Sequence, residues 1–428
     1  MNKSARIKIL CCLVLAAFFV GGNAWAGGVM LYQFGQPDIG YGNAGYAARA
    51  QDASTVFTNP AGMCRLASSQ SLIAMQALYA HVKFDPDSST NVPGGGSDGG
   101  NAIGWAPGGS LFLVHKINEA LSIGFGALSY FGLSESFDDN WLGRYYVQES
   151  TLVGMTFTPA VSYRVNDWLS IGVSLNMMYG YLENEVAINN RPFSLSDGQM
   201  KYKDTEMGYG INLGILVEPK KGTRLGLTYL SEVKLDFSDV PDFSGLNPVL
   251  QLWLTNHGLT SSSLDLSMTV PQMVMFSAYH ELNPKWAVLC NLGWQDWSRF
   301  GKVDVGVNTE NPTSLTVDSH YKDTWHTALG IQYTYSPAWK FSFGIAYDSS
   351  AVSDGDRTVS VPIGEIKSVA FGTQYALSPN LTLGAAYQFA WLGDMSVDQN
   401  SGPLTGRVAG EFGNTSFNFF ALNLKWTY

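Results

Sequence analysis

The chain has 428 residues, of which 46% are hydrophobic and 14% are charged, and its formal net charge is −10 at pH 7. Soluble globular domains usually carry about 25% charged residues, so this composition disfavours an ordinary soluble domain. The acidic balance argues against nucleic acid as a partner, because phosphate backbones require clustered cations.

The N-terminus predicts an export signal over residues 1–26. Lys3, Arg6 and Lys8 precede an apolar run too short to span a bilayer, and Ala24-Trp25-Ala26 forms a small-x-small cleavage site. Cleavage leaves 22 Lys and Arg against 35 Asp and Glu, a net charge of −13 for a mature chain that starts at Gly27. Beyond that point no apolar run is long enough for a transmembrane helix.

Apolar residues instead alternate with small or polar ones over long stretches. Within 169–177 the odd positions are large and apolar, whereas Ser170, Gly172, Ser174 and Asn176 occupy the even positions, and 339–347 and 381–391 repeat the pattern. A period of two indicates β-strands with two different faces. In an exported, aromatic-rich chain the apolar set is expected to face lipid and the small polar set the lumen of a transmembrane β-barrel.

Six short turns and seven longer polar connections predict about fourteen antiparallel strands. The turns are expected near 117–119, 165–167, 219–222, 283–284, 336–338 and 378–380, and the outer loops near 86–104, 132–148, 188–202, 238–263, 309–318, 353–363 and 398–412. A tilted strand needs roughly 9–11 residues to cross a bilayer. Several segments are longer, so the wall is expected to rise above the membrane.

Residues 27–68 show no such alternation and precede the predicted barrel, which we place at 69–428. The segment is rich in Gly and Ala and includes a predicted short helix at 47–53. A plug inside the lumen accounts for it better than a disordered periplasmic tail, because disorder favours charged and polar residues. Cys64 would then lie inside the barrel and Cys290 on the lipid face, so both are predicted to be free thiols.

The N-terminal segment resembles the hatch of the FadL/TodX family of outer-membrane transporters of hydrophobic compounds. The similarity rests on Gly40-Tyr-Gly-Asn-Ala-Gly-Tyr-Ala, on Asp52-Ala-Ser-Thr-Val and on Asn59-Pro60-Ala61-Gly62, and it continues at Tyr130-Phe131-Gly132-Leu133. The resemblance implies a monomeric barrel of fourteen strands in the bacterial outer membrane. It implies passive uptake of hydrophobic molecules, long-chain fatty acids first, through a loop groove, a barrel pocket and a lateral wall opening.

Mapped onto this sequence, the resemblance makes Asn59, Pro60 and Ala61 the hatch motif beside a kinked third strand, with Phe131, Gly132 and Leu133 at the kink. Gly and Pro interrupt ladder pairing and permit such a bend. In the outer loop at 238–263 an apolar groove is predicted on an amphipathic helix, from the helical spacing of Leu246, Leu250, Trp253 and Leu254. A helix packed onto its own loop would show the same spacing.

Other functions find little support in the sequence. A dinucleotide-binding pattern is matched by Gly40-Tyr-Gly-Asn-Ala-Gly45, but this segment follows no strand of a βαβ unit. The six histidines lack metal-ligand spacing. The sequence also shows no nucleophile–base pair of an enzyme. We expect no cofactor. Lipid, lipopolysaccharide and the outer-membrane assembly machinery are the expected partners, the last through the aromatic C-terminal residue Tyr428. A general porin and uptake of aromatic hydrocarbons are the alternatives. A fatty acid would favour a cation in the pocket, but the top of the fifth strand carries Glu183 and Glu185, which keeps uncharged hydrocarbons open. The other candidate cations are Lys203, Arg224, Lys234, Arg299 and Lys322.

Overall fold

The protein folds as a closed antiparallel β-barrel of fourteen strands. The computed structural model describes residues 30–308 and 313–428, so the predicted export signal lies outside the described residues. The barrel strands, β1 to β14 in chain order, are Gln70–His81, Gly104–Lys116, Leu121–Ser136, Glu149–Arg164, Leu169–Ile188, Gly198–Lys220, Thr223–Leu230, Met273–Asn283, Trp286–Gln295, Thr324–Thr334, Trp339–Asp348, Ile366–Ser378, Leu381–Asn400 and Arg407–Thr427.

Each barrel strand pairs with its chain neighbours, and β1 pairs with β14 from Gln70–Thr427 to His81–Ser416, which closes the barrel. The predicted alternation is confirmed. In β5 the side chains of Ile171, Val173 and Leu175 are exposed on the outer wall, whereas Ser170, Ser174 and Asn176 are buried on the lumen side. No helix in the described part of the chain is long and apolar enough to cross a membrane.

All six predicted short turns separate consecutive strands, but several outer loops differ from their predicted bounds. The strands β13 and β14 reach Asn400 and Arg407, so the loop predicted at 398–412 shrinks to 401–406. β6 likewise starts at Gly198 inside the loop predicted at 188–202. The alternation of these strands continues beyond the length that a bilayer requires, and the strands therefore extend as a wall above it.

The loops after β7 and β9 form a second, four-stranded antiparallel sheet. Its strands, in spatial order, are Thr313–Asp318, Lys302–Val307, Leu264–Val270 and Val233–Asp239. A helix, α1, spans Pro248–Asn256 and is N-capped by Asn247, whose side chain accepts a hydrogen bond of 2.8 Å from Leu250 N. The loop predicted at 238–263 is therefore structured, and residues 309–312 of another predicted loop lie outside the described residues.

The described part of the N-terminal segment packs against the inner wall of the barrel. It contains two 3₁₀ turns, Pro37–Tyr41 and Pro60–Arg65, and one helical turn, Thr55–Thr58. The helix predicted at 47–53 is wrong. One helical hydrogen bond forms, from Arg49 N to Gly45 O at 2.7 Å, and Ala50, with a φ of 40°, ends the turn. The preceding amides of Gly45, Tyr46 and Ala47 bond to Asn291 and Ser277 of the wall.

Candidate functional site: a plugged barrel with an opening in its wall

Lumen-facing glycines form the surface on which the N-terminal segment docks. A Cβ on Gly226 would overlap the Ala47 carbonyl, one on Gly344 the Tyr41 carbonyl, and one on Gly172 the backbone of Pro60 and Ala61. The plug therefore meets the wall backbone to backbone, at positions where only glycine leaves room. This explains why small residues occupy the inward positions of so many strands.

Asn59, Pro60 and Ala61 occupy the centre of this docking surface. The Asn59 side-chain amide donates to Ala47 O at 2.6 Å and to Ile215 O of β6 at 3.0 Å, and its Oδ1 accepts from Ala61 N at 3.1 Å. One side chain thus caps a 3₁₀ turn, links two parts of the plug and fixes both to the wall. The motif contacts Ser162 of β4, Gly172 of β5 and Ile215 of β6, the three strands that follow the third strand in the wall.

A buried ion-pair triad holds the plug together. The Arg49 guanidinium bonds to Asp38 and, at 2.5 Å, to Asp52, and all three side chains are at most 3% exposed. The triad lies outside the membrane-spanning strands. Burial raises the pKa of Asp38 to about 6 against the opposing charge of Arg49. Burial also opposes ionisation of Asp52, but there Arg49 and a hydrogen bond from Ser54 prevail and hold its pKa below the usual value.

The third strand contains a bulge at the predicted kink. The register against β4 shifts between Ser129 and Phe131, and Gly132 has a φ of 153°. Tyr130 and Phe131, although consecutive, are both buried, so the inward positions change from even below the bulge to odd above it. A Cβ on Gly132 would lie 2.9 Å from Leu152 O, which leaves glycine as the residue that fits.

Above this bulge the barrel wall is open between β2 and β3. The two strands pair only from Ser110–Leu128 to Lys116–Ser122, whereas the upper part of β2 pairs with β1 alone and the upper part of β3 with β4 alone. A hydrogen bond of 2.7 Å from Ser136 N to Ala102 O closes the gap at the top. We call this gap, flanked by residues 104–109 and 129–135, the wall window.

The first described residues of the plug lie along the inner side of the wall window. Leu31 N donates to Tyr130 O at 2.7 Å, and Met30 forms an isolated antiparallel bridge with Phe131. Ser110 Oγ donates to Phe34 O at 2.7 Å from the opposite edge. Residues 30–34 therefore form a strip across the window that uses the backbone groups left free by the bulge.

An apolar cavity lies on the lumen side of the same strip. It contains about 880 Å³ of space between protein atoms, including the part open to solvent. Met30, Leu31, Leu133 and Phe419 are among its apolar walls, and its polar lining residues are Gln33, Gln295, Thr324, Asp348, Ser349 and Gln388. The strip is thus the partition between the cavity and the window.

Buried apolar side chains connect this region to the outer loops without interruption. One cluster contains Met30 and Phe57 of the plug, Phe131 of the bulge and Leu254 of α1. Leu246, Leu250 and Trp253, which we predicted to form a groove with Leu254, pack against this cluster. Leu250, Trp253 and Leu254 therefore line the inner side of α1, and Leu246 packs just before the helix begins. The apolar residues that α1 exposes are Val249 and Leu252, at 65% and 62%.

None of the five cations left unplaced by the sequence lines the cavity. Arg299 pairs with Glu232, and Arg224 lies 4.2 Å from the centre of the Tyr279 ring. Glu183 and Glu185 pair with Lys201. Cys64 and Cys290 are both free, as predicted.

The resemblance predicted a lateral opening at the kinked third strand, but the β2 edge of the wall window was missed, although the sequence contains a signal for it. Pro107-Gly108-Gly109 lies within β2, and a proline inside a sheet indicates an edge without a ladder partner on its N–H side. Residues 30–34 carry no comparable signal, because the partners of this strip come from a strand about 100 positions away.

The fold and the site define a plugged transport barrel of the bacterial outer membrane. Residues 17–428 match the family described as outer membrane protein transport protein (OMPP1/FadL/TodX), and the chain belongs to this family.

Relatives and solved structures agree with this assignment. The chain is 29% identical over 405 residues to the long-chain fatty acid transport protein of Escherichia coli O6:H1, an alignment that covers 88% of this chain and 90% of the relative. It superposes on a FadL homologue of Pseudomonas aeruginosa with a TM-score of 0.84 at 20% identity, covering 94% and 100% of the two chains. The toluene transporter TbuX of Ralstonia pickettii gives a TM-score of 0.64 at 16% identity, with coverage of 93% and 99%.

Proposed function

We propose that this protein mediates passive uptake of hydrophobic molecules across the bacterial outer membrane, with long-chain fatty acids as the first candidate substrate. The observation that carries the proposal is the placement of an apolar cavity and a wall window on opposite sides of the strip at residues 30–34. The name of the E. coli relative supports fatty acids. A cavity without a lining cation, and the similarity to a toluene transporter, favour aromatic hydrocarbons as the second candidate.

The proposed route starts at α1, whose exposed Val249 and Leu252 offer an apolar landing surface. Substrate then follows the buried apolar cluster to the cavity. Movement of residues 30–34 away from Tyr130 and Phe131 opens the window, and the substrate leaves sideways into the membrane. The two edges of the window are kept separate by the bulge at Phe131, Gly132 and Leu133. The rest of the plug stays anchored to the wall during this movement through Asn59, Pro60 and Ala61.

The organisation of the chain follows from the same proposal. Residues 27–68 act as the hatch and 69–428 as the barrel, after removal of residues 1–26. The hatch fills the lumen, which argues against a general porin. The barrel closes on itself and acts as a monomer among lipid and lipopolysaccharide, inserted by the assembly machinery through a C-terminal strand that ends at Tyr428. We propose no catalytic role.

A reversible crosslink between strip and bulge tests this route. In a background with Cys64 and Cys290 changed to serine, Met30→Cys with Phe131→Cys joins residues that face each other in an antiparallel bridge, a geometry that accepts a disulfide. The assay is transfer of a fluorescent fatty acid into vesicles that contain the protein. Oxidation should stop transfer and reduction should restore it.

The matched control is Asn91→Cys with Arg407→Cys, a second isolated bridge in the outer loops away from the window. Its oxidation should leave transfer unchanged. Equal transfer by the oxidised and reduced forms of the Met30–Phe131 pair would show that the window is not the exit.

A further inference from the structure

The only charged side chain that lines the cavity among the described residues is Asp348. Its Oδ1 lies 2.8 Å from Nδ1 of His326, which is 2% exposed, and its Oδ2 has no hydrogen-bond partner in the described part of the chain. A carboxylate with a free oxygen, set in an apolar wall, is a strong hydrogen-bond acceptor.

Most donors around the cavity are already committed to the protein. Gln295 Nε2 donates to Tyr32 OH at 2.7 Å, Gln388 Nε2 donates to Ser368 Oγ at 3.0 Å, and the Thr324 hydroxyl faces Gln295 Oε1. The uncommitted donors of the described lining are the Gln33 side-chain amide and the hydroxyls of Ser349 and Tyr32, which only accept hydrogen bonds, from Trp325 N and Gln295 Nε2. The cavity therefore offers an anionic acceptor and neutral donors, but no cation to compensate a second negative charge.

A neighbouring crevice does not supply the missing cation. It shares Gly364 and Leu392 with the cavity and contains Arg357, which already donates to Asp354, to Ile363 O and to Ser396 O. The crevice also holds Glu365 and Asp394, so its acidic side chains outnumber its one cation. A carboxylate in the cavity would meet repulsion on this side as well.

We propose that the cavity selects hydrophobic molecules whose polar end is uncharged and donates a hydrogen bond, with that end on Asp348 Oδ2 and the hydrocarbon part along the apolar wall. Alcohols, phenols and protonated carboxylic acids share this chemistry, whereas ionised carboxylates lack it. The inference rests on the proposed function and narrows its substrate class. A hydrogen bond to a charged acceptor changes affinity by about tenfold or more.

Three ligands with the same ring and tail separate the possibilities: 4-octylphenol, octylbenzene and 4-octylbenzoate. Their binding to the purified full-length barrel is measured by calorimetry in nonionic detergent, in weakly basic buffer where the benzoate is ionised and the phenol is not. We expect the phenol to bind most tightly and the benzoate most weakly. Asp348→Asn should weaken phenol binding about tenfold, leave octylbenzene unchanged and strengthen benzoate binding.

Glu365→Gln removes a nearby carboxylate that does not line the cavity, and it should leave the order unchanged. Benzoate binding as tight as phenol binding in the unaltered protein would overturn the inference without touching the uptake function. The inference would also be overturned if Asp348→Asn bound the three ligands in the same order of affinity as the unaltered protein. Binding of none of the three would overturn both the inference and the proposed function.

Discussion

Gly344→Ala places a single methyl group between the wall and the hatch. An added Cβ would lie 2.5 Å from Gly42 N and closer still to the Tyr41 carbonyl, whereas an unstrained contact needs about 3.5 Å. The hatch backbone must therefore move by at least about 1 Å. Such a shift breaks the hydrogen bond of 3.1 Å from Tyr41 OH to Gln332 Oε1. Overpacking of this kind costs about 1–3 kcal/mol, which raises the undocked fraction of the hatch roughly 5- to 150-fold.

Single-channel conductance in planar bilayers measures this fraction directly, because an undocked hatch leaves the lumen open to ions. We expect openings to become more frequent in Gly344→Ala. Gly355→Ala is the matched control, since its added Cβ meets no atom within 4 Å. If the two variants conduct alike, the hatch does not dock on Gly344 and the close packing of hatch and wall is refuted.

Three further predictions concern the kink, the triad and the outer helix. Gly132→Ala should lower vesicle uptake several-fold, because alanine at a φ of 153° strains the bulge that holds the window apart. Arg49→Met should weaken hatch docking by about 3–5 kcal/mol, because it leaves two carboxyls buried without their cation, and hydrogen exchange of the hatch amides reports the loss. Val249→Ser with Leu252→Ser should reduce the uptake rate at low substrate concentration but leave binding in the cavity unchanged, as calorimetry can check.

Each of these predictions has a matched control. Gly108→Ala adds a methyl group at ordinary contact distance on the other edge of the window and should not slow uptake. Arg407→Met breaks an exposed ion pair with Asp398, which solvent screens, and should leave hatch exchange unchanged. Gln251→Ala removes a polar side chain from α1 and should keep the low-concentration rate. If a control variant shows the same effect as the variant it is matched to, the stated cause of that effect is refuted.

Alternation along each strand was sufficient to predict the barrel, because the inner and outer walls face different surroundings and a strand carries one set of side chains to each. It also located all six short turns. The parity rule fails at Tyr130 and Phe131, where the bulge moves two consecutive side chains to the same face. The bounds of the outer loops failed for a different reason, since strands there continue above the membrane.

The presence of a hatch could be predicted because residues 27–68 lack the alternation of a strand, but the conformation of the hatch could not. The run from Ala47 to Ala53 has helical propensity, yet wall residues in β8 and β9 take its neighbouring amides and Arg49 turns inward to two carboxyls. Such contacts join residues about 230 positions apart. The cavity and its Asp348 were likewise beyond sequence reasoning, because their walls come from the hatch, from several strands and from the loop between β11 and β12.

The wall window also affects how the barrel remains intact in a membrane. Two strand edges with free N–H and C=O groups are costly wherever lipid replaces water, and exposed edges invite pairing with foreign strands. Pro107 removes one donor from the first edge. Residues 30–34 occupy the Tyr130 carbonyl of the second edge and accept from the Ser110 hydroxyl on the first. The hatch therefore acts as a partial fifteenth strand of the wall as well as a plug in the lumen. Removal of the hatch should lower the stability of the barrel and increase its tendency to associate with other strands. Removal of a plug that only filled the lumen would have neither effect.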